Sequence, residues 1–217
     1  MLRLLIVGCP HSGTRFIAQT LTRAGLPCGH EQVFTLDGVK SHRLSAEASW
    51  IAAHYLGSSA VPRDVVVAHQ IREPLAWLNS WLRTTNAHAA WRFLDIMWPS
   101  IGWPTFGIDR ERDPVRTAMR LWVRMNQRCE TFARIGYSIE AVDADPEHGV
   151  IRQLGMLADV DLDRDRIAAA ITAITAVERN HHRGDPSYVP LTWGSLPAGP
   201  ERDEFAGLAR VYGYDVL

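Results

Sequence analysis

The sequence predicts an α/β fold: a three-layer, doubly wound, mostly parallel sheet with a phosphate-binding loop after its first strand. Three observations predict it. Short apolar runs at residues 4–7 and 64–69 have the length and branching of strands covered on both faces. Stretches with apolar residues at helical spacing separate the strand-like runs. A glycine-containing turn, Gly8-Cys9-Pro10-His11-Ser12-Gly13-Thr14, joins the first strand to the first helix. With 217 residues, 47% of them hydrophobic, the chain can bury one sizeable core, so a single domain spanning 1–217 is expected.

The elements follow in order. The first strand covers 4–7 and ends at Gly8. A helix over 14–24 places Phe16, Ile17, Leu21 and Ala24 on one face, and Gly25 stops it. Residues 45–56 read as a second helix, with Glu47 in a polar first turn. Val65-Val66-Val67-Ala68 forms the centre of a second strand over 64–69. Pro74 opens a helix that runs to about residue 83, since its missing N–H costs nothing at that position. The segment 84–113 carries Trp91, Phe93, Trp98, Trp103 and Phe106 among several Gly and Pro residues; a short helix near 87–97 and then an irregular loop are expected. A long helix over 114–135 follows, with Ala118, Leu121, Trp122 and Met125 at helical spacing. A third strand spans 137–142, and helices span 146–157 and 164–178. A polar loop covers 180–200, and the last helix covers 202–212. Ligands of such sheets bind beyond the carboxyl ends of the strands. The loops after Val7, His69 and Val142 are therefore the candidate site.

Charge and cysteine usage narrow the function. The net charge is −1 and no long run of like charge occurs, which argues against a nucleic-acid-coating role. Lys40 is the only lysine. The remaining basic residues are arginines, which suit a bidentate grip on phosphate or sulfate oxygens. Cys9, Cys28 and Cys129 are widely separated and form neither a metal-ligand spacing nor a disulfide framework. The N-terminal apolar run is too short for a signal peptide, and no stretch approaches the roughly 20 apolar residues of a membrane span. A soluble cytoplasmic protein is expected, with no metal.

Gly8 and Gly13 have the spacing of a P-loop, in which backbone amides and a helix N-terminus hold an anion. Ser12 and Thr14 add hydroxyls. A nucleoside-triphosphatase loop continues with Lys and then Ser or Thr, but Thr14 and Arg15 stand there. The residue that reaches the outer phosphates and the one that holds magnesium are both missing, which disfavours a nucleotide-kinase reading. After the second strand, Arg72-Glu73-Pro74 leads into a helix that carries Ser80 two turns on. An arginine and a serine so placed can converge on a second phosphate.

Together these loops resemble the sulfotransferases that use 3′-phosphoadenosine 5′-phosphosulfate (PAPS). Their first motif, Gly-x-Pro-(Lys/Arg)-Ser-Gly-Thr, is matched by Gly8–Thr14 except at His11. Their second, Arg-x-Pro followed by Ser eight residues after the Arg, is matched by Arg72, Pro74 and Ser80. Trp122 with Asn126, and Tyr212-Gly213-Tyr214, are weaker likenesses to the same family. The resemblance implies that Cys9, Pro10, His11, Ser12, Gly13, Thr14 and Arg15 hold the 5′-phosphosulfate, and that Arg72 and Ser80 hold the 3′-phosphate. It also implies that Arg183, in His181-His182-Arg183-Gly184, closes over the nucleotide.

His11 stands where the family carries a cation for the leaving phosphate, and Arg15 can share that role. Glu31 is the candidate base for the acceptor hydroxyl, with His30 as the other. PAPS is the implied co-substrate and PAP the product. The acceptor is a small molecule, a carbohydrate or a lipid, and the tryptophans of 91–106 together with Trp193 are its candidate lining. A catalytically weak relative that keeps the nucleotide pocket is the remaining alternative.

Overall fold

The computed structural model describes residues 1–83, 113–174 and 187–216. Its centre is a five-stranded parallel sheet in the order β2-β5-β1-β6-β7. The strands are β1 (Leu4–Gly8), β2 (Cys28–His30), β5 (Ala46–Ala48), β6 (Val66–Ile71) and β7 (Ile135–Ser138). A two-stranded antiparallel ribbon, β3 (Phe34–Thr35) with β4 (Gly38–Val39), lies between β2 and β5 in sequence. The fold is α/β, as the alternation of strand and helix predicts.

The described residues group into two compact units. The first comprises 1–71 and 128–181 and contains the whole five-stranded sheet. Its helices are α1 (Thr14–Ala24), α4 (Ile139–Ala144), α5 (Gly149–Leu157) and α6 (Arg164–Ala173). Leu4, Ile6, Ala46, Ala48 and Ala68 form the floor of a core that Phe16, Ile17 and Leu21 of α1, Ile151 and Leu154 of α5 and Ile167 of α6 cover. Alternate residues of a strand face opposite sides, so Leu5 and Glu47 point to the other face of the sheet.

The second unit comprises 72–127 and 182–217. Within it, α2 (Pro74–Arg83) carries Trp77 and Trp81, fully buried and stacked with ring centroids 5.8 Å apart. Helix α3 (Pro114–Phe132) lies in this unit up to Gln127. Trp122 of α3 meets Phe205 of α7 (Pro200–Val211) edge to face at 5.0 Å and Tyr212 at 5.9 Å. Asn126 donates to the Trp122 carbonyl at 2.8 Å. Arg116 and Arg120 of α3 converge on Glu201 at the start of α7. Trp193, one of the expected acceptor-lining residues, is buried against Phe205 and serves the core of this unit.

The bounds of α1 and α2 match the sequence reading, because each is set by a local signal. Gly25 ends α1 with its N–H on the carbonyls of Leu21 and Thr22, and Pro74 begins α2. The helix expected over 45–56 does not form. Residues 46–48 are instead a strand inserted between β1 and β2, followed by a single 3-10 turn at Ile51–His54. Ala and Glu favour helix locally, but two small buried residues suit a strand flanked on both sides, and the tertiary pairing prevails.

The strand expected over 137–142 stops at Ser138. The Ser138 hydroxyl accepts from the Ala141 amide at 3.2 Å and starts α4, so Val142 is helical. Helix α3 ends at Phe132 rather than 135, since Ile135 pairs with Ala68. The expected helix near 87–97, the tryptophans of 91–106, the end of the helix expected over 164–178 and the segment around Arg183 lie outside the described residues.

Candidate functional site

All five strands run parallel, so their carboxyl ends share one edge of the sheet. The chain visits β2 and β5 on one side of β1 before crossing to β6 on the other. The carboxyl end of β1 is thus the point where strand order reverses, the place where such sheets bind ligands. The loop that leaves β1 there is Cys9–Gly13.

Its shape follows from its residues. Cys9 and Pro10 are buried, and the Ser12 amide donates to the Cys9 carbonyl at 3.0 Å. His11 (φ +64°) and Gly13 (φ +92°) are both left-handed. At residue 13 a side chain would be strained by that φ, and a β-carbon would come within 3.2 Å of Ile139 Cγ1. Backbone that alternates hand in this way turns successive amides toward one concavity. Helix α1 starts there with no capping side chain and no acidic residue in its first turn. Ser12 is 1% exposed, and its hydroxyl has no hydrogen-bond partner among the described residues. A loop with an unpartnered buried hydroxyl at an uncapped helix N-terminus is suited to an anion.

The loop rests on a polar support. Gln70 of β6 is fully buried and donates through Nε2 to the Ser12 carbonyl at 2.7 Å. Tyr137 of β7 donates its hydroxyl to Gln70 Oε1 at 2.8 Å. Two neighbouring strands thereby fix the height of Ser12.

The end of β2 comes to the same place. His30 Nε2 lies 3.2 Å from Thr14 Oγ1 and 3.4 Å from Glu31 Oε1. Burial, and then the charge of Arg15, hold the His30 imidazole down at about 4. His30 is therefore neutral at pH 7, and its contact with Glu31 is polar rather than an ion pair. Glu31 moves the other way. Burial, and then the nearby Glu47, push its carboxyl up to about 7, against a hydrogen bond from Trp50 that favours the charged form. Glu31 is left-handed at φ +55°, and its side chain is 27% exposed. It is a carboxyl poised to change protonation near neutrality, as a general base requires.

The structure thus brings together Cys9, Pro10, His11, Ser12, Gly13, Thr14, Arg15, His30 and Glu31, all in the first unit. Arg15 is exposed on the first turn of α1. Arg72 and Ser80 belong to the second unit, and both are half-buried. Glu73 caps α2 there: its carboxylate accepts from the amides of Leu75 and Ala76. Arg183 lies outside the described residues.

Sequence reasoning missed Glu47, Trp50, Gln70 and Tyr137. Only Gln70 carried a signal, as a polar residue next to an apolar run. A cavity of about 580 Å³ lined by Leu56, Arg63, Val67 and Phe132 sits elsewhere in the first unit and shares none of these residues. Among the described residues no group of His, Cys, Asp and Glu could hold a metal, and no helix is long and apolar enough to cross a membrane.

No protein-family model matches the chain, and no curated protein matches it. Among solved structures, the chain is similar to a sulfotransferase from Alicyclobacillus acidocaldarius. The identity is 16% over 99% of this chain and 97% of that one, with a TM-score of 0.46.

Proposed function

We propose that this protein moves a sulfuryl group from PAPS to a hydroxyl or amine of a small-molecule, sugar or lipid acceptor. One observation carries the reading: an uncapped phosphate-type loop with a buried, unpartnered Ser12 hydroxyl adjoins a carboxyl, Glu31, pushed up to about 7. The match of Arg72, Pro74 and Ser80 to the 3′-phosphate motif selects PAPS over a triphosphate. The absence of a lysine after Gly13 points the same way.

The chemistry follows from these groups. The acceptor oxygen or nitrogen attacks sulfur and a new S–O or S–N bond forms. The bond from sulfur to the phosphate oxygen breaks, and its electron pair stays on the phosphate of PAP. The acceptor proton passes to the Glu31 carboxylate. Sulfuryl transfer, like phosphoryl transfer, depends on in-line positioning and on donors aimed at the developing charge. The loop amides and the hydroxyls of Ser12 and Thr14 supply donors. Arg15 supplies a permanent cation, and His11 serves as a second cation when protonated. His30, kept neutral, orients the Glu31 carboxyl and bonds Thr14. Cys9, Cys28 and Cys129 are free and buried, which fits a cytoplasmic setting.

The test is binding of PAP. PAP is expected to raise the melting temperature without magnesium, and Arg72→Ala is expected to abolish the rise. Absence of any shift at millimolar PAP would overturn the reading.

A further inference from the structure

Glu47 has a place the proposed chemistry does not yet use. It is 0% exposed in β5, an interior strand of the sheet, where an unpaired carboxylate is costly. Its Oε1 accepts from the amides of Gln32 at 2.8 Å and Val33 at 3.0 Å, the two residues that follow Glu31. Its Oε2 is buried with no hydrogen-bond partner among the described residues. The carboxylate lies over Gly29, its register partner on β2, where any β-carbon would run into Oε2. Glycine at 29 thus makes room for Glu47, and Glu47 anchors the turn that leaves β2.

We propose that Glu47 is a positioning residue for Glu31: it ties down the left-handed turn that presents Glu31, and it sets a second carboxyl behind the first. The inference rests on the reading of Glu31 as the base. A plain structural anchor would be served equally well by a neutral acceptor such as glutamine. Burial raises the Glu47 carboxyl too, and the backbone amides of Val33 and Gln32 counter that by favouring its ionised form. Once ionised, it makes Glu31 hold its proton more tightly. The groups facing this pair come from three elements. They are His30 and Cys28 from β2, Trp50 from the segment after β5, and Arg15 of α1, which acts on His30.

The experiment is a side-chain carboxyl NMR titration of the full chain, with Glu31 assigned through Glu31→Gln. In Glu47→Gln the neutral amide oxygen can still accept from Gln32 and Val33, so their hydrogen-exchange protection is expected to persist. The Glu31 midpoint is expected to fall by about one pH unit or more, the size of a nearby like charge. An unchanged Glu31 midpoint in folded Glu47→Gln would overturn the proposal, as would retained protection at Gln32 and Val33 in Glu47→Ala. If Glu47→Gln does not fold, the reciprocal measurement decides. Glu31→Lys, at a partly exposed position, sets a cation beside Glu47 and is expected to lower the Glu47 midpoint, and no change there would equally overturn the proposal. These readouts involve no nucleotide, so failure of PAP binding remains separate from failure of this inference.

Discussion

Glu31 changes charge close to neutral pH, so a reaction that uses it as base changes rate there. The carboxylate is the active form, and the rate is expected to rise as pH increases through about 7. Glu31→Gln is expected to lower transfer by roughly 10²–10⁴-fold, the usual worth of a general base, while PAP binding persists. Initial rates across pH, with PAP binding measured alongside, check both statements. Gln70 gives a second prediction. Gln70→Leu strands the Ser12 carbonyl and the Tyr137 hydroxyl in a buried place, at a cost of about 1–3 kcal/mol. A urea midpoint measures the loss, and weaker PAP binding should accompany it. The loop residues were legible because their signal is local: glycines at fixed spacing behind an apolar run. Gln70 and Tyr137 were not, since their contacts join residues 58 and 67 positions apart in the chain. Glu47 was misplaced for a related reason. Nothing local distinguishes a helical Ala-Glu-Ala from one whose glutamate caps a turn on a neighbouring strand.

Among the elements, α1 and the loop before it carry most of the proposed site, and their geometry makes separable predictions. Gly13→Ala forces a side chain into left-handed backbone, at about 1–2 kcal/mol, and crowds Ile139. It is expected to lower both stability and PAP affinity. Asp163→Ala removes the cap of α6, where the carboxylate accepts from Arg166 N at 2.9 Å. That change costs about 1 kcal/mol with PAP affinity unaltered. Thermal melting with and without PAP separates the two variants. Elements bounded by Gly or Pro could be read from sequence. The short strands β2 and β5 could not, because three residues carry too little periodicity and become strands only through pairing. Ser138 has the same lesson: its hydroxyl ends β7 by capping α4, a choice the apolar pattern of 137–142 does not reveal.

At the scale of the whole molecule, buried titratable groups in the first unit shape its stability with pH. His30 is held at about 4, and His54 at about 3 by burial and then Arg128, both below the ordinary 6.5. Their contribution is present above pH 6.5 and is lost as pH falls through 4 and 3. Glu31, raised above its ordinary 4.5, contributes below pH 4.5 and loses that contribution as pH rises through 7. The melting temperature is expected to fall below pH 6.5. Glu31→Gln is expected to gain on the native chain between pH 4.5 and 7, and melting curves at stepped pH measure both effects. The α/β class was legible throughout, because alternation of strand and helix is a whole-chain pattern that tolerates local errors. The most direct measurement is calorimetric titration of the full chain with PAP in the absence of magnesium. One-to-one binding that Arg72→Ala and Gly13→Ala each weaken at least about tenfold, near 1.4 kcal/mol, is the predicted result. No binding at millimolar PAP, or binding that requires magnesium and ignores Arg72, would contradict it.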